Sequence, residues 1–152
     1  MEDKLIKENK KWANYDYSEF PLVKVYMKNK IESDESFYAF LEEWKSLFEQ
    51  NNEFTFIFDT TNVGLVNIKY AFKMRNFIKN LKRKENCPLQ KSIIITKTRW
   101  IRFLLSLIFK MESPVATTYI IDESSKINVF DLLKQIESKK NLSRNVTVYK
   151  KD

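Results

Sequence analysis

The feature that most limits the fold is an alternation of short apolar runs with longer amphipathic stretches. Five runs are dominated by β-branched and aromatic residues and predict strands: residues 22–27, 54–58, 92–96, 117–121 and 146–149. Between them lie four stretches with helical spacing, which begin near residues 33, 68, 99 and 128. Strands and helices that alternate with short connections predict a mainly parallel or mixed sheet covered by helices.

The clearest helix follows Ser33 or Asp34, either of which can cap its first turn. Its apolar residues form one stripe at helical spacing: Phe37, Phe40, Leu41, Trp44, Leu47 and Phe48. We therefore predict one α/β domain over residues 21–152, with a mixed or parallel sheet of about five strands and about four helices. Residues 1–20 have no clean period, and we interpret them as a polar arm that is disordered or adds a further strand.

Several residue types are scarce or missing. The 152 residues include no His, one Gly (Gly64) and one Cys (Cys87). Nucleophile–histidine pairs, zinc sites of His and Cys, and glycine-rich phosphate loops are therefore excluded. We expect a non-enzymatic protein that needs no metal and no cofactor. The longest apolar-rich stretch, residues 100–111, is shorter than the ~20 residues that span a bilayer. Together with the lone cysteine, it predicts a soluble, cytoplasmic protein.

Residues 54–67, F-T-F-I-F-D-T-T-N-V-G-L-V-N, resemble the strand–loop–helix signature of STAS domains, the anti-sigma factor antagonist family. The matching positions are Asp59, Thr61, Val63, Val66 and Asn67. Residues 93–107 are similar to the strand and helix that follow in that family. The resemblance spans residues 22–136 and implies a regulatory module that binds a protein partner. The same residues also resemble the CRAL-TRIO domain, which implies a lipid-binding protein instead.

The sequence departs from the STAS pattern where the helix after the loop begins. Regulatory members have Asp-Ser-Ser-Gly or a close variant there, and a kinase phosphorylates one of the serines. This chain has Asn67-Ile68-Lys69-Tyr70 at that place. The resemblance therefore implies a STAS-type module without the usual phosphorylation switch.

Positive charge is concentrated in one third of the chain. The formal net charge is +7, yet residues 60–111 contain twelve basic residues against the single acidic Glu85. The remaining residues carry fifteen basic and nineteen acidic side chains. Such a segment is either a solvated helix face or a docking face for an anionic partner. Its aromatic residues follow core periods instead of standing among the basic ones, which disfavours nucleic acid as the partner.

The third helix, residues 99–111, is apolar around most of its circumference. Its polar residues form one narrow stripe: Arg99, Arg102, Ser106 and Lys110. The surplus apolar surface packs inside the molecule or contacts a partner or a membrane. We predict that the chain docks an acidic protein, or alternatively an anionic lipid surface, through a basic and apolar face. The expected contact residues are Thr60, Thr61, Asn62, Asn67, Lys69, Tyr70, Lys73, Arg99, Trp100 and Arg102.

Two aspartates end predicted strands, at the sheet edge where open α/β folds collect ligands. A catalytic carboxylate pair formed by Asp59 and Asp122 is therefore a further hypothesis. The alternative is that Asp59 accepts hydrogen bonds from the amides of its own loop or caps the turn, as aspartates in loops commonly do. We favour the alternative for Asp59.

Overall fold

A computed structural model describes residues 11–152. In chain order the strands are β1 (Ala13–Glu19), β2 (Leu22–Met27), β3 (Phe54–Asp59), β4 (Leu89–Thr96), β5 (Thr118–Asp122) and β6 (Val146–Tyr149). The helices are α1 (Asp34–Gln50), α2 (Lys69–Leu81), α3 (Arg99–Met111) and α4 (Val129–Glu137). A single 3₁₀ turn, Glu123–Ser125, follows β5. The predicted α/β class with a mixed sheet is confirmed.

The six strands form one sheet in chain order, from β1 at one edge to β6 at the other. The inner strands β2, β3, β4 and β5 run parallel to one another, whereas β1 and β6 are antiparallel to their neighbours. Of the two alternatives given for residues 1–20, the structure shows the further strand, β1, which pairs Ala13 with Met27. The sheet therefore takes in part of the predicted arm, and residues 1–10 of that arm lie outside the described residues.

Helices α1, α2 and α3 all lie on one face of the sheet. Each one connects two adjacent parallel strands, and right-handed crossovers between strands that follow one direction place their helices on a common side. The main core forms between this helical layer and side chains such as Phe56, Ile94 and Ile120. Helix α4 covers part of the opposite face, where Leu132 and Leu133 pack with Ile93 and Ile121.

Local signals begin the helices where the sequence predicts them. Ser33 is the N-cap of α1, and its side chain accepts a hydrogen bond from the backbone N–H of Ser36. Asn128 caps α4 in the same way, by accepting from the N–H groups of Phe130 and Asp131. These caps satisfy backbone donors that have no partner inside the helix.

Candidate partner-binding surface

The loop between β3 and α2 is held to the ends of the strands by hydrogen bonds. The backbone N–H and the hydroxyl of Thr60 both donate to the carbonyl oxygen of Ile95, at 3.0 and 2.7 Å. Asp59 Oδ1 accepts from the backbone N–H and the hydroxyl of Thr61, at 3.0 and 2.6 Å. Asp59 and Thr61 therefore shape the turn that leaves the sheet.

The middle of this loop rests on the end of β2. The Gly64 N–H donates to the carbonyl of Asn29 at 2.8 Å, and a Cβ added at Gly64 would lie 2.5 Å from Asn29 Oδ1. Val63 and Val66 are buried on either side, while Leu65 between them is 86% exposed. A loop anchored this closely holds Leu65 out in solvent.

The first turn of α2 is connected to the first turn of α1. The Tyr70 hydroxyl donates to Asp34 Oδ1 at 2.7 Å, and Lys69 Nζ lies 3.3 Å from the same oxygen. These two groups hold the pKa of the Asp34 carboxyl below its usual value. Burial, together with the bond to Asp34, raises the pKa of Tyr70 to about 12. Asn67 begins the turn, because its side-chain oxygen accepts from the Lys69 N–H.

Trp100 joins α3 to the same loop. Its indole N–H donates to the carbonyl of Val66 at 2.9 Å, and its ring stacks on Phe103 with 5.4 Å between centroids. Phe103 is half exposed. Arg99 is exposed one turn before it, and forms no ion pair with any residue of 11–152.

Four large apolar side chains are exposed on the loop, α2 and α3, which these contacts join. The Arg75 guanidinium lies 5.8 Å from the ring of Phe72, and Lys69 and Arg99 flank the apolar residues along the chain. We call this the α2–α3 face, formed by Leu65, Ile68, Phe72 and Phe103 with the cations Lys69, Arg75 and Arg99. Aromatic residues and arginine, two of the residue types on this face, are enriched at protein interfaces.

The structure places the ten predicted contact residues in different surroundings. Thr60 and Tyr70 are buried and their hydroxyls are bonded internally, so the prediction that they lie on the binding surface is wrong. Lys73 turns toward α1, where its Nζ donates to Tyr38 Oη at 2.7 Å. Arg102 turns toward the sheet and forms an ion pair with Asp122. Five others lie on or beside the α2–α3 face: Thr61, Asn67, Lys69, Arg99 and Trp100. Asn62 is exposed on the same loop.

The ten predicted contact residues do not include the apolar members of the α2–α3 face. Two signals could have identified part of it. Phe72 falls outside the apolar stripe of α2, which Tyr70, Met74, Ile78 and Leu81 follow. Phe103 belongs to the surplus apolar circumference of α3. Leu65 and Ile68 lie in a loop with no period, and no pattern marks them as exposed.

Most of the positive charge of residues 60–111 is not balanced by ion pairs within residues 11–152. Three of the twelve form ion pairs within residues 11–152: Lys69 with Asp34, Arg102 with Asp122, and Lys82 with both Glu112 and Asp152. The other nine have no acidic group within 4.0 Å in that range. Because α2 and α3 are neighbours in one layer, much of this uncompensated charge lies on the same side of the sheet.

The two strand-ending aspartates do not form a pair. Asp59 ends β3 and Asp122 ends β5, with β4 between them in the sheet. Asp122 accepts from the N–H and hydroxyl of Ser124, and these bonds, with the nearby Arg102, hold the pKa of its carboxyl below the usual value. Asp59 is thus bonded within its own turn, as the alternative predicts, and Asp122 is bonded both within its own turn and to Arg102 of α3.

Within residues 11–152, no group of three or more acidic or cysteine side chains comes together as a metal site. Every helix in the same range is too short or too polar to cross a membrane. No protein-family model, curated protein or solved structure matches the chain. The resemblance to STAS and CRAL-TRIO domains therefore stays a prediction.

Proposed function

We propose that this chain is a cytoplasmic, non-enzymatic docking module that binds an acidic protein segment through the α2–α3 face. The observation that carries the proposal is the exposure of four large apolar side chains on a surface whose cations Arg75 and Arg99 form no ion pair within residues 11–152. Coulomb attraction would bring an acidic partner to the face, and burial of its apolar residues would retain it.

A protein partner suits this face better than a bilayer does. Among the apolar residues of α3, only Phe103 is exposed, while Ile101, Leu104 and Ile108 are buried in the core. A helix that lies in a bilayer inserts a continuous apolar face, but most of the apolar face of α3 is buried inside the protein. The remaining exposed apolar residues lie on the loop, α2 and α3, so no single helix presents the continuous apolar face that insertion into a bilayer needs.

The test uses a fluorescent peptide with a leucine stripe flanked by glutamates, titrated with the protein at low and high salt. Arg99→Glu and Phe103→Ser should each weaken binding by about tenfold, since side chains at the centre of an interface contribute at least that much. Wild-type binding should also weaken as salt rises.

Helix α4, on the opposite face of the sheet, offers matched controls. Phe130 is 51% exposed against 50% for Phe103, and Lys134 is exposed like Arg99. Phe130→Ser and Lys134→Glu should leave peptide binding unchanged. The proposal would be overturned if the two α4 variants weakened peptide binding as much as the two α3 variants do, or if the wild-type protein did not bind the peptide at low salt. If vesicles containing phosphatidylserine bind through Arg99 and Phe103 while the peptide does not, the membrane alternative replaces it.

A further inference from the structure

A crevice of about 290 Å³ lies beside α4, on the face of the sheet opposite helices α1, α2 and α3. The strand register places Tyr26 of β2 beside Asp59 of β3, and Asp59 beside Ile95 of β4. Ile57, two residues before Asp59, lies on the same face because side chains alternate along a strand. The first turn of α4, with Phe130, forms the remaining wall. The crevice is therefore at the carboxyl ends of parallel strands, where open α/β folds bind ligands.

The floor of the crevice is apolar, and aromatic side chains border it. Ile57 is buried and Ile95 is half-buried, whereas the rings of Tyr26 and Phe130 are each about half exposed. Lys24 Nζ lies 5.9 Å from the centroid of the Phe130 ring, so this ring already attracts one cation. An engineered apolar cavity of about 150 Å³ binds benzene. A crevice of about twice that volume suits a ligand with two fused rings.

Asp59 gives the crevice a negative charge. Its Oδ1 accepts from the backbone N–H and the hydroxyl of Thr61, while its Oδ2 has no hydrogen-bond or ion-pair partner among residues 11–152. The other charged side chain of the crevice, Lys24, is paired with Glu19 at 3.1 Å. These three charges leave one negative charge uncompensated, at Asp59. Because Asp59 is half-buried, this charge acts more strongly on a ligand than one in bulk water does.

An anionic ligand fits this crevice poorly. The backbone N–H groups at the start of a helix can bind an anion, but here those of Phe130 and Asp131 are already bonded to the Asn128 side chain, at 2.9 and 3.3 Å. Asp59 would also repel an anion. A neutral ligand that covered the crevice would leave the Asp59 carboxylate without a counter-charge, which is costly. The crevice therefore selects a cation.

We propose that this crevice binds a small organic cation in which a flat apolar ring system carries one amino group. The ring system packs on Ile57 and Ile95 and against the exposed ring of Phe130. The ammonium group donates to Asp59 Oδ2 in a charge-assisted hydrogen bond. Such a site has the usual character of a small-molecule pocket, in which a mostly apolar surface surrounds one or two polar groups. It is independent of the docking proposal, because no residue of the α2–α3 face lines the crevice.

Tryptamine and tryptophol test the proposal, since they share an indole ring and differ by an ammonium against a hydroxyl group. Their dissociation constants are measured for the wild type and for Asp59→Asn by NMR titration of the backbone amides, which also locates the site. Asparagine keeps an oxygen that accepts from Thr61 but removes the charge. The wild type should prefer tryptamine, and this preference, taken as the ratio of the two constants, should fall by about fivefold in Asp59→Asn. The comparison of ratios cancels effects common to both compounds.

The chain offers a matched control for each part of the site. Asp122 also ends a strand and bonds to its own turn but does not line the crevice, so Asp122→Asn should leave the preference unchanged. Phe130→Ser should weaken both compounds by about fivefold, because it removes a ring against which the indole packs. Phe103→Ser, on the α2–α3 face, should weaken neither.

Each outcome decides the proposal. It is overturned if tryptamine does not bind, or if the amide shifts that it causes lie away from residues 24–26, 57–59 and 128–130. The role of Asp59 is wrong if the preference for tryptamine is the same in Asp59→Asn as in the wild type, or if Asp122→Asn lowers it equally. Shifts confined to the crevice together with a preference lost only in Asp59→Asn would support the site as described.

Discussion

Helices α1 and α3 lie in the same layer, and both are rich in aromatic and aliphatic residues, but they use them differently. In α1 the whole predicted stripe is buried, including Phe37, Trp44 and Phe48. In α3 only Ile101, Leu104 and Ile108 are buried, Phe103 is exposed, and the other apolar residues are half-buried. The apolar residues of α1 match the surface that the sheet offers, whereas those of α3 exceed it. The excess of α3 includes the exposed ring of Phe103.

The largest expected effect comes from removing one aromatic ring from each of these two helices. Phe37→Ala should lower the free energy of unfolding by about 3–5 kcal/mol, because it removes a fully buried ring and leaves a cavity. Phe103→Ala should change it by less than about 0.5 kcal/mol, because that ring is half exposed. Urea denaturation of both variants measures the difference. A loss at Phe103 close to that at Phe37 would mean that α3 is as much a core helix as α1.

The difference between the two helices also shows what the sequence could predict. The stripe of α1, the Ser33 cap and the alternation of strands with helices depend on local patterns, and these predictions are confirmed. β1 was recognised only as an option, because a polar edge strand has a weak pattern and is defined by its pairing with β2.

The candidate site could be predicted only in part, because its side chains have distant partners. Thr60 bonds to Ile95, 35 residues away, and Arg102 pairs with Asp122, 20 residues away. No spacing rule connects either pair along the chain. The charge excess of residues 60–111 is visible in the sequence, but which cations are neutralised depends on the packing of the strands and helices.

A smaller effect is expected from removing the N-cap side chains of the same two helices. The Ser33 side chain accepts from the N–H of Ser36, and the Thr98 side chain accepts from that of Ile101, both at 3.2 Å. Ser33→Ala and Thr98→Ala should each cost about 1 kcal/mol, since each leaves one donor of the first turn without its partner. Thermal unfolding checks this. Ser33→Asp and Thr98→Asp are the controls, and should restore most of the stability because aspartate also caps helices. A much larger loss of stability in Thr98→Ala than in Ser33→Ala would contradict the expectation that the two caps contribute equally.

The smallest effect concerns the ion pair that ties α3 to β5. Asp122→Asn keeps an oxygen that accepts from Ser124 but removes the charge beside Arg102. Glu123→Gln is the control, because it removes the same charge from an exposed neighbouring residue. At pH 7 Asp122→Asn should destabilise the protein by less than either cap variant, because partly exposed ion pairs contribute little. The folded-state pKa of Asp122 lies below its ordinary value of 3.8, so its contribution is present above that pH and is lost as the pH falls through the lowered pKa. The urea midpoints of wild type and Asp122→Asn should therefore converge below about pH 4. A difference that persists unchanged in acid would assign the effect to packing instead of to the charge of Asp122.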